Sequence, residues 1–240
     1  MAVSPLEFCK KLLEEAKRMH PFLHHPLYYR IFRGELSKNQ LCEIIKQQGC
    51  FYLDTLRHAA WKIVSVGGYT PTIEDLEQQR ALIPLVVAEG GEDMVGGKTT
   101  AHSLLFVRLA ESLGIAKEEL FRTAYLPTTV IEKDELFLLQ RSSILEALCG
   151  GNIATESIHN THCQKMAIAL GTHYGVPREA LEFYYVHVEV EKDHEERAVH
   201  ILEKIAVNDE QQARGLLALR RAITARRIFA DGAYEAFVKV

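Results

Sequence analysis

No run in this chain approaches the roughly 20 apolar residues needed to cross a bilayer. Low-complexity tracts, internal repeats and the alternating pattern of strands are also missing. The five cysteines, Cys9, Cys42, Cys50, Cys149 and Cys163, are odd in number and lack CxxC spacing. A disulfide framework is therefore not expected, and a reducing compartment fits. The opening MAVSPLEFCKKLLEEAK scatters charge where a signal peptide needs an apolar core, so a cytoplasmic location without membrane contact is expected. A net charge of −4 supplies no general attraction to nucleic acid. Arg214, Arg220, Arg221, Arg226 and Arg227 do cluster, but on an amphipathic helix they read as a solvated face.

What is present is helical. The 240 residues are 48% hydrophobic and 25% charged, enough for one full core, and 1–240 reads as a single domain. Pro5 to Met19 has an amphipathic period, and the segment from His20 to Tyr29 reads as a loop because of its prolines. Ser37 and Gln40 form a capping box that opens a helix expected to run to Val66. Further helices are expected from Thr72 to Glu89, Ala101 to Leu113, Lys117 to Ala124 and Ile131 to Leu148. Others follow from Ile153 to Leu170, from Pro177 to Ile205, and from Asp209 to Phe229. Gly67-Gly68, Gly90-Gly91, Gly114 and Gly150-Gly151 read as stops, and Pro127 as a break. The fold class is all-α, a bundle of about seven main helices.

One stretch, Glu182 to Ile205, has ionisable groups where apolar ones belong. His187, Glu191 and His194 stand at i, i+4 and i+7, on the same face as Leu181, Tyr184, Ala198, Ile201 and Leu202. Burying them is costly unless they are paired or bind a cation. An internal salt-bridge network is the bland account, and a metal ion is the simpler one. Glu156, in mid-helix on a stripe with Cys163 and Leu170, can join from a second helix. Glu89 closes the run LIPLVVAE, and His102 opens HSLLFVRLA. Three carboxylates and three imidazoles suit two iron ions, or manganese at one position, better than a single zinc.

This pattern of Glu89 and His102, then Glu156, then His187-x3-Glu191-x2-His194, resembles the haem-oxygenase-like diiron oxidase and oxygenase family. The segment HPLYYRIFRGELSKNQL is similar to the opening shared with cofactor-free pyrroloquinoline quinone synthases. The resemblance implies a haem-oxygenase-like bundle in which Glu89, His102 and Glu156 contact one iron. Glu156 would bridge to a second iron held by His187, Glu191 and His194. The enzyme would use O2 to oxidise a small substrate such as an amino acid or amine, by N-oxygenation, C–C cleavage or decarboxylation, with an external electron donor as an optional partner. A homodimer is expected. Glu89, Glu156 and His187 would carry the catalysis. The long segment after Gly90 leaves Glu92 as a rival for Glu89. Helical phase directs Tyr28, Tyr52, His159 and Tyr185 toward the substrate; Arg30, Arg57 and Arg108 read first as surface ion pairs, with a substrate carboxylate as the alternative partner.

Other readings stay open. Glu156-x2-His159 with Glu191-x2-His194 repeats the Glu-x-x-His pairs of ferritin-like bundles. Thiaminase II proteins share the implied fold and use a cysteine, for which Cys149 and Cys163 are candidates. A haem module would take His20, His24 or His25 as its axial ligand. A para-aminobenzoate synthase branch consumes a tyrosine of its own, and Tyr28 falls at that position; Thr155 and Met166 depart from that branch's tyrosine and lysine. His58, His173 and His200 read as ordinary core residues.

Overall fold

The computed structural model describes residues 2–67, 70–92 and 100–239, and within these the side chains other than those at 92, 156 and 189–196. Among them every regular element is helical, as expected. In chain order they are α1 (Pro5–Met19), α2 (Pro21–His24), α3 (Pro26–Phe32), α4 (Lys38–Tyr52), α5 (Thr55–Val64) and α6 (Ile73–Val87). A π-helical turn, Ala88–Glu92, follows. Then come α7 (His102–Ser112), α8 (Lys117–Phe121), α9 (Pro127–Ser142) and α10 (Ile144–Ala147). A second π-helical stretch, Leu148–Glu156, leads into α11 (Ser157–Tyr174), α12 (Glu182–Ile205) and α13 (Asp209–Phe237). None of these helices is long and apolar enough to cross a membrane.

The bundle is built on α13, which packs against α1, α3, α4, α9 and the second π stretch. Its inner face repeats at helical spacing through Gly215, Ala218, Leu219, Ala222, Ala225, Phe229, Ala230 and Ala233. Small side chains there let neighbours approach closely. A Cβ on Gly215 would stand 2.9 Å from Cys149 Sγ and 3.2 Å from the Phe8 ring. Two apolar clusters result. One gathers Leu27, Ile44, Phe106, Leu170 and Phe183, the other Leu12, Leu139, Leu148, Ile153, Leu202 and Leu219. Phe51 packs against both.

The proline-bearing segment departs from the sequence expectation in an instructive way. His20-Pro21 and His25-Pro26 are two copies of one device, since each proline sits in a first turn and starts a helix. Each imidazole caps that helix, Nδ1 of His20 accepting from the Phe22 amide at 3.2 Å and Nδ1 of His25 from Leu27 at 3.1 Å. Pro127 likewise opens α9 instead of ending α8. The helix expected to run to Val66 breaks at Leu53-Asp54, where the Asp54 carboxylate is held by Arg57 at 2.9 Å and Lys133 at 3.0 Å. Gly150-Gly151 does not stop a helix. A Cβ on either would press on α9, 2.8 Å from Leu139 and 2.5 Å from Gln140, so glycine here permits close packing. Pro177 lies in a turn ahead of α12, and α13 continues past Phe229 to Phe237.

Buried imidazoles make the fold acid-sensitive. Burial, then the Arg226 charge, pushes the His162 pKa down to about 3 against a smaller opposing contact with the Phe22 backbone. Its ordinary value is 6.5. Between the two the unfolded chain binds the extra proton. The stability from neutral His162 is thus full above the ordinary value and is lost as pH falls, by up to about 1.4 kcal/mol per unit. His162→Phe would keep the 4.1 Å stack on Phe22. We expect this variant to gain urea resistance relative to the parent at about pH 5, more than at neutrality; equal shifts at both would contradict the assignment.

Candidate metal centre and adjoining cavity

Glu89 lies on the first π-helical turn, which ends in a sharp reversal at Gly91 with φ 90°. A methyl on Gly91 would overlap the Thr100 carbonyl carbon, so the reversal carries the chain close enough for α7 to begin beside Glu89. His102 is the first residue of α7 and is fully buried. Its Nδ1 stands 3.2 Å from Glu89 Oε2. Gly91→Ala is expected to cost about 1–3 kcal/mol from the left-handed backbone alone. Because it displaces Glu89, iron affinity should fall with it, and an iron titration of the folded variant checks this.

His187 comes from the first turns of α12, where Phe183, Tyr184 and His187 face inward. Its Nδ1 donates to the Phe183 carbonyl at 2.5 Å, which leaves Nε2 with the lone pair. The ring centroid lies 4.6 Å from that of His102. One ligand atom each from Glu89, His102 and His187 lies within 4.8 Å of the others. Oε2 of Glu89 is buried without a well-formed hydrogen bond. Burial raises the Glu89 pKa, but contact with His102, then the His187 charge and the adjacent Thr55, outweigh it and hold it at about 2. A charged carboxylate facing two imidazoles is the donor set of non-haem iron, so these three residues fit the metal expected from sequence.

The side chains of the other three expected ligands, Glu156, Glu191 and His194, lie outside the described ones, as does that of Glu92. Their backbones end the second π stretch, continue α12 and close the first π turn.

Next to the three ligands is a cavity of about 70 Å³, walled by Phe51, Tyr52, Thr55, His58, Lys62, Leu136, His159 and Arg226, with Glu89 and His187 at one side. Tyr52 and His159, two of the four residues that helical phase directs inward, stand in this wall. The His159 ring lies 4.8 Å from that of His187. Its pKa is pushed well down by burial, then by His187 and His162, so it faces the cavity neutral. Tyr28 is buried one layer away, against Phe22 and His162, on a void of about 10 Å³ that shares Phe51, Tyr52 and Arg226 with the cavity. Tyr185 is not in the wall; Arg178 covers its ring at 4.6 Å. Arg57 pairs with Asp54, and Arg30 and Arg108 are exposed, so none of the arginines named from sequence reaches the cavity.

Sequence reasoning missed the polar face that α5 gives this wall. Thr55, His58 and Lys62 share one face of α5, a polar stripe at helical spacing that could have been noticed. Of the five clustered arginines, Arg214, Arg220 and Arg221 do pair at the surface, with Glu146, Glu15 and Glu135. Arg226 instead is buried and bonds Glu132 at 2.8 Å. Cys149 is also buried, and burial pushes its thiol well up, which leaves it little nucleophilic thiolate.

Residues 51–227 match the family described as iron-containing redox enzyme. Over 237 residues the chain is 25% identical to a 4-aminobenzoate synthase from Nitrosomonas europaea, covering 94% of this chain and 91% of that one. A CADD-like protein from Nostoc punctiforme superposes with a TM-score of 0.76 at 16% identity, over 96% of this chain and 97% of the other. A TenA homologue from Pseudomonas syringae gives 0.74 at 13%, over 95% and 93%. A domain with a heme oxygenase-like fold from Shewanella denitrificans gives 0.72 at 13%, over 98% and 94%.

Proposed function

Since the chain belongs to the iron-containing redox enzymes and has the haem-oxygenase-like fold, we propose that it is an O2-using, non-haem oxidase or oxygenase acting on a small organic molecule. One observation carries the reading. A carboxylate and two imidazoles converge to within 4.8 Å of one another beside a cavity. In this reading Glu89, His102 and His187 hold iron together with Glu156, Glu191 and His194, enough donors for two ions. Manganese can replace one of them. Bound iron supplies the electrons and Lewis acidity that reaction with O2 requires.

The chain's own groups do the rest. The Phe183 carbonyl fixes the His187 ring so that Nε2 is the ligand. Neutral His159 lines the cavity with its basicity suppressed by burial, so it serves to hydrogen-bond and orient a substrate and not to hold a proton. Phe51, Tyr52 and Leu136 exclude water around the reacting bond. Anaerobic titration with Fe(II), followed by O2, tests the proposal. About two irons per chain and iron-dependent O2 uptake are expected. Uptake that persists in chelator without iron would return the chain to the cofactor-free reading.

A second reading takes 4-aminobenzoate as product, favoured by the Nitrosomonas europaea relative and by the buried place of Tyr28 beside the cavity. If Tyr28 is consumed, the peptide containing it changes mass during turnover and Tyr28→Phe makes no product. With an external substrate, the peptide mass is unchanged and the variant still turns over. Thr155 stands in the cavity wall where that branch has a tyrosine, which favours the external substrate.

A further inference from the structure

Arg226 is 4% exposed and its guanidinium is only partly used. Nη1 holds Glu132, whereas buried Nε has no partner. That leaves the edge against which a carboxylate docks side-on through two N–H groups. His58, 3% exposed, also lines the cavity, and neither of its ring nitrogens has a hydrogen-bond partner. Both groups lie against one ring. Arg226 Cζ lies 4.3 Å and the His58 centroid 4.7 Å from the centroid of Phe51. A buried N–H without a partner is costly, so unused donors on one cavity wall mark what the cavity is built to hold.

We propose that the substrate is a small carboxylic acid, whose carboxylate docks on the Nε edge of Arg226 with an N–H from His58 and whose apolar body lies along Phe51, Tyr52 and Leu136. This rests on the reading above that the cavity beside Glu89 and His187 is where the substrate reacts. It adds the polar group that orients the substrate and the residue that selects it. Lys62, in the same wall, is the rival cation.

Calorimetry with benzoate and butyrate, each against its neutral amide, tests the proposal on metal-free and anaerobic Fe(II)-loaded protein. Binding to the metal-free chain separates Arg226 from any acid–iron contact. It also keeps this result independent of whether iron is taken up. At least one acid should bind about ten- to hundred-fold tighter than its amide, the scale of a charge-assisted hydrogen bond. His58→Gln should weaken the acid alone. Arg226→Gln would strand Glu132, so the paired variant Arg226→Gln with Glu132→Gln is used beside it. That folded variant should bind acid and amide alike, whereas Lys62→Met should keep the preference. Failure of both acids to bind, a preference that survives the paired variant, or one that vanishes with Lys62→Met would each overturn the proposal.

Discussion

His187→Ala is expected to abolish iron binding at the Glu89 end of the cavity while the bundle stays folded. Three things happen together when the ring is removed. The Nε2 lone pair is lost, Glu89 loses one of two neighbouring imidazoles, and the Phe183 carbonyl reverts to its helical partner alone. Loss of an outer partner that merely orients a ligand costs about 10–100-fold in metal affinity. A ligand that is itself removed should cost more than that, and turnover should fall with it. Phe183 remains to fill the adjoining core, so circular dichroism should change little. The informative comparison is His159→Ala, whose ring touches His187 but whose role is placed in the cavity. Iron binding retained there and lost in His187→Ala supports the assignment; the reverse result favours the ferritin-like pairing of Glu156 with His159.

The second large effect is on stability. Arg226→Met should destabilise the protein by about 3–5 kcal/mol, because it leaves Glu132 buried and alone. Both side chains are 5% exposed and joined at 2.8 Å. Adding Glu132→Leu to Arg226→Met should recover much of the loss, since a buried pair replaced by apolar groups is often neutral. The single variant carries a pH signature. Burial already raises the Glu132 pKa, with Arg226 opposing. Without Arg226 the folded carboxyl rises further above its unfolded value, so its penalty is greatest at neutral pH and shrinks as falling pH protonates it. The gap in urea midpoint between parent and Arg226→Met should therefore narrow toward about pH 5.

The parts of this architecture that were legible in the sequence were those set by local periodicity. His187 was conspicuous because an imidazole stood on a stripe of Tyr184, Ala198 and Leu202, and burial of that stripe follows from its spacing. The capping box at Ser37 and the helix start at Thr72 are local by nature and appear where the residues dictate. Proline was ambiguous, since the same missing amide that forbids a helix interior suits a first turn. Only the imidazole caps ahead of Pro21 and Pro26 decide between the two. Arg226 was illegible for a different reason. Its partner Glu132 is 94 positions away, and nothing in the neighbouring arginines distinguishes the one that points inward. His58 looks like any core histidine until Leu136 and Gln140 of α9 are seen across the same cavity.

The wide winding of Leu148–Glu156 makes chain length, not only residue identity, a determinant of chemistry. A π-type turn accommodates an extra residue relative to ordinary helix. Excising one residue there would let the stretch tighten to regular pitch and shift Gly151 and Thr155 in the cavity wall, while α11 keeps its register. His159 would stay beside His187, although the wall next to it had been reshaped. A change of length in that short span thus alters the room beside the histidines without exchanging any of them.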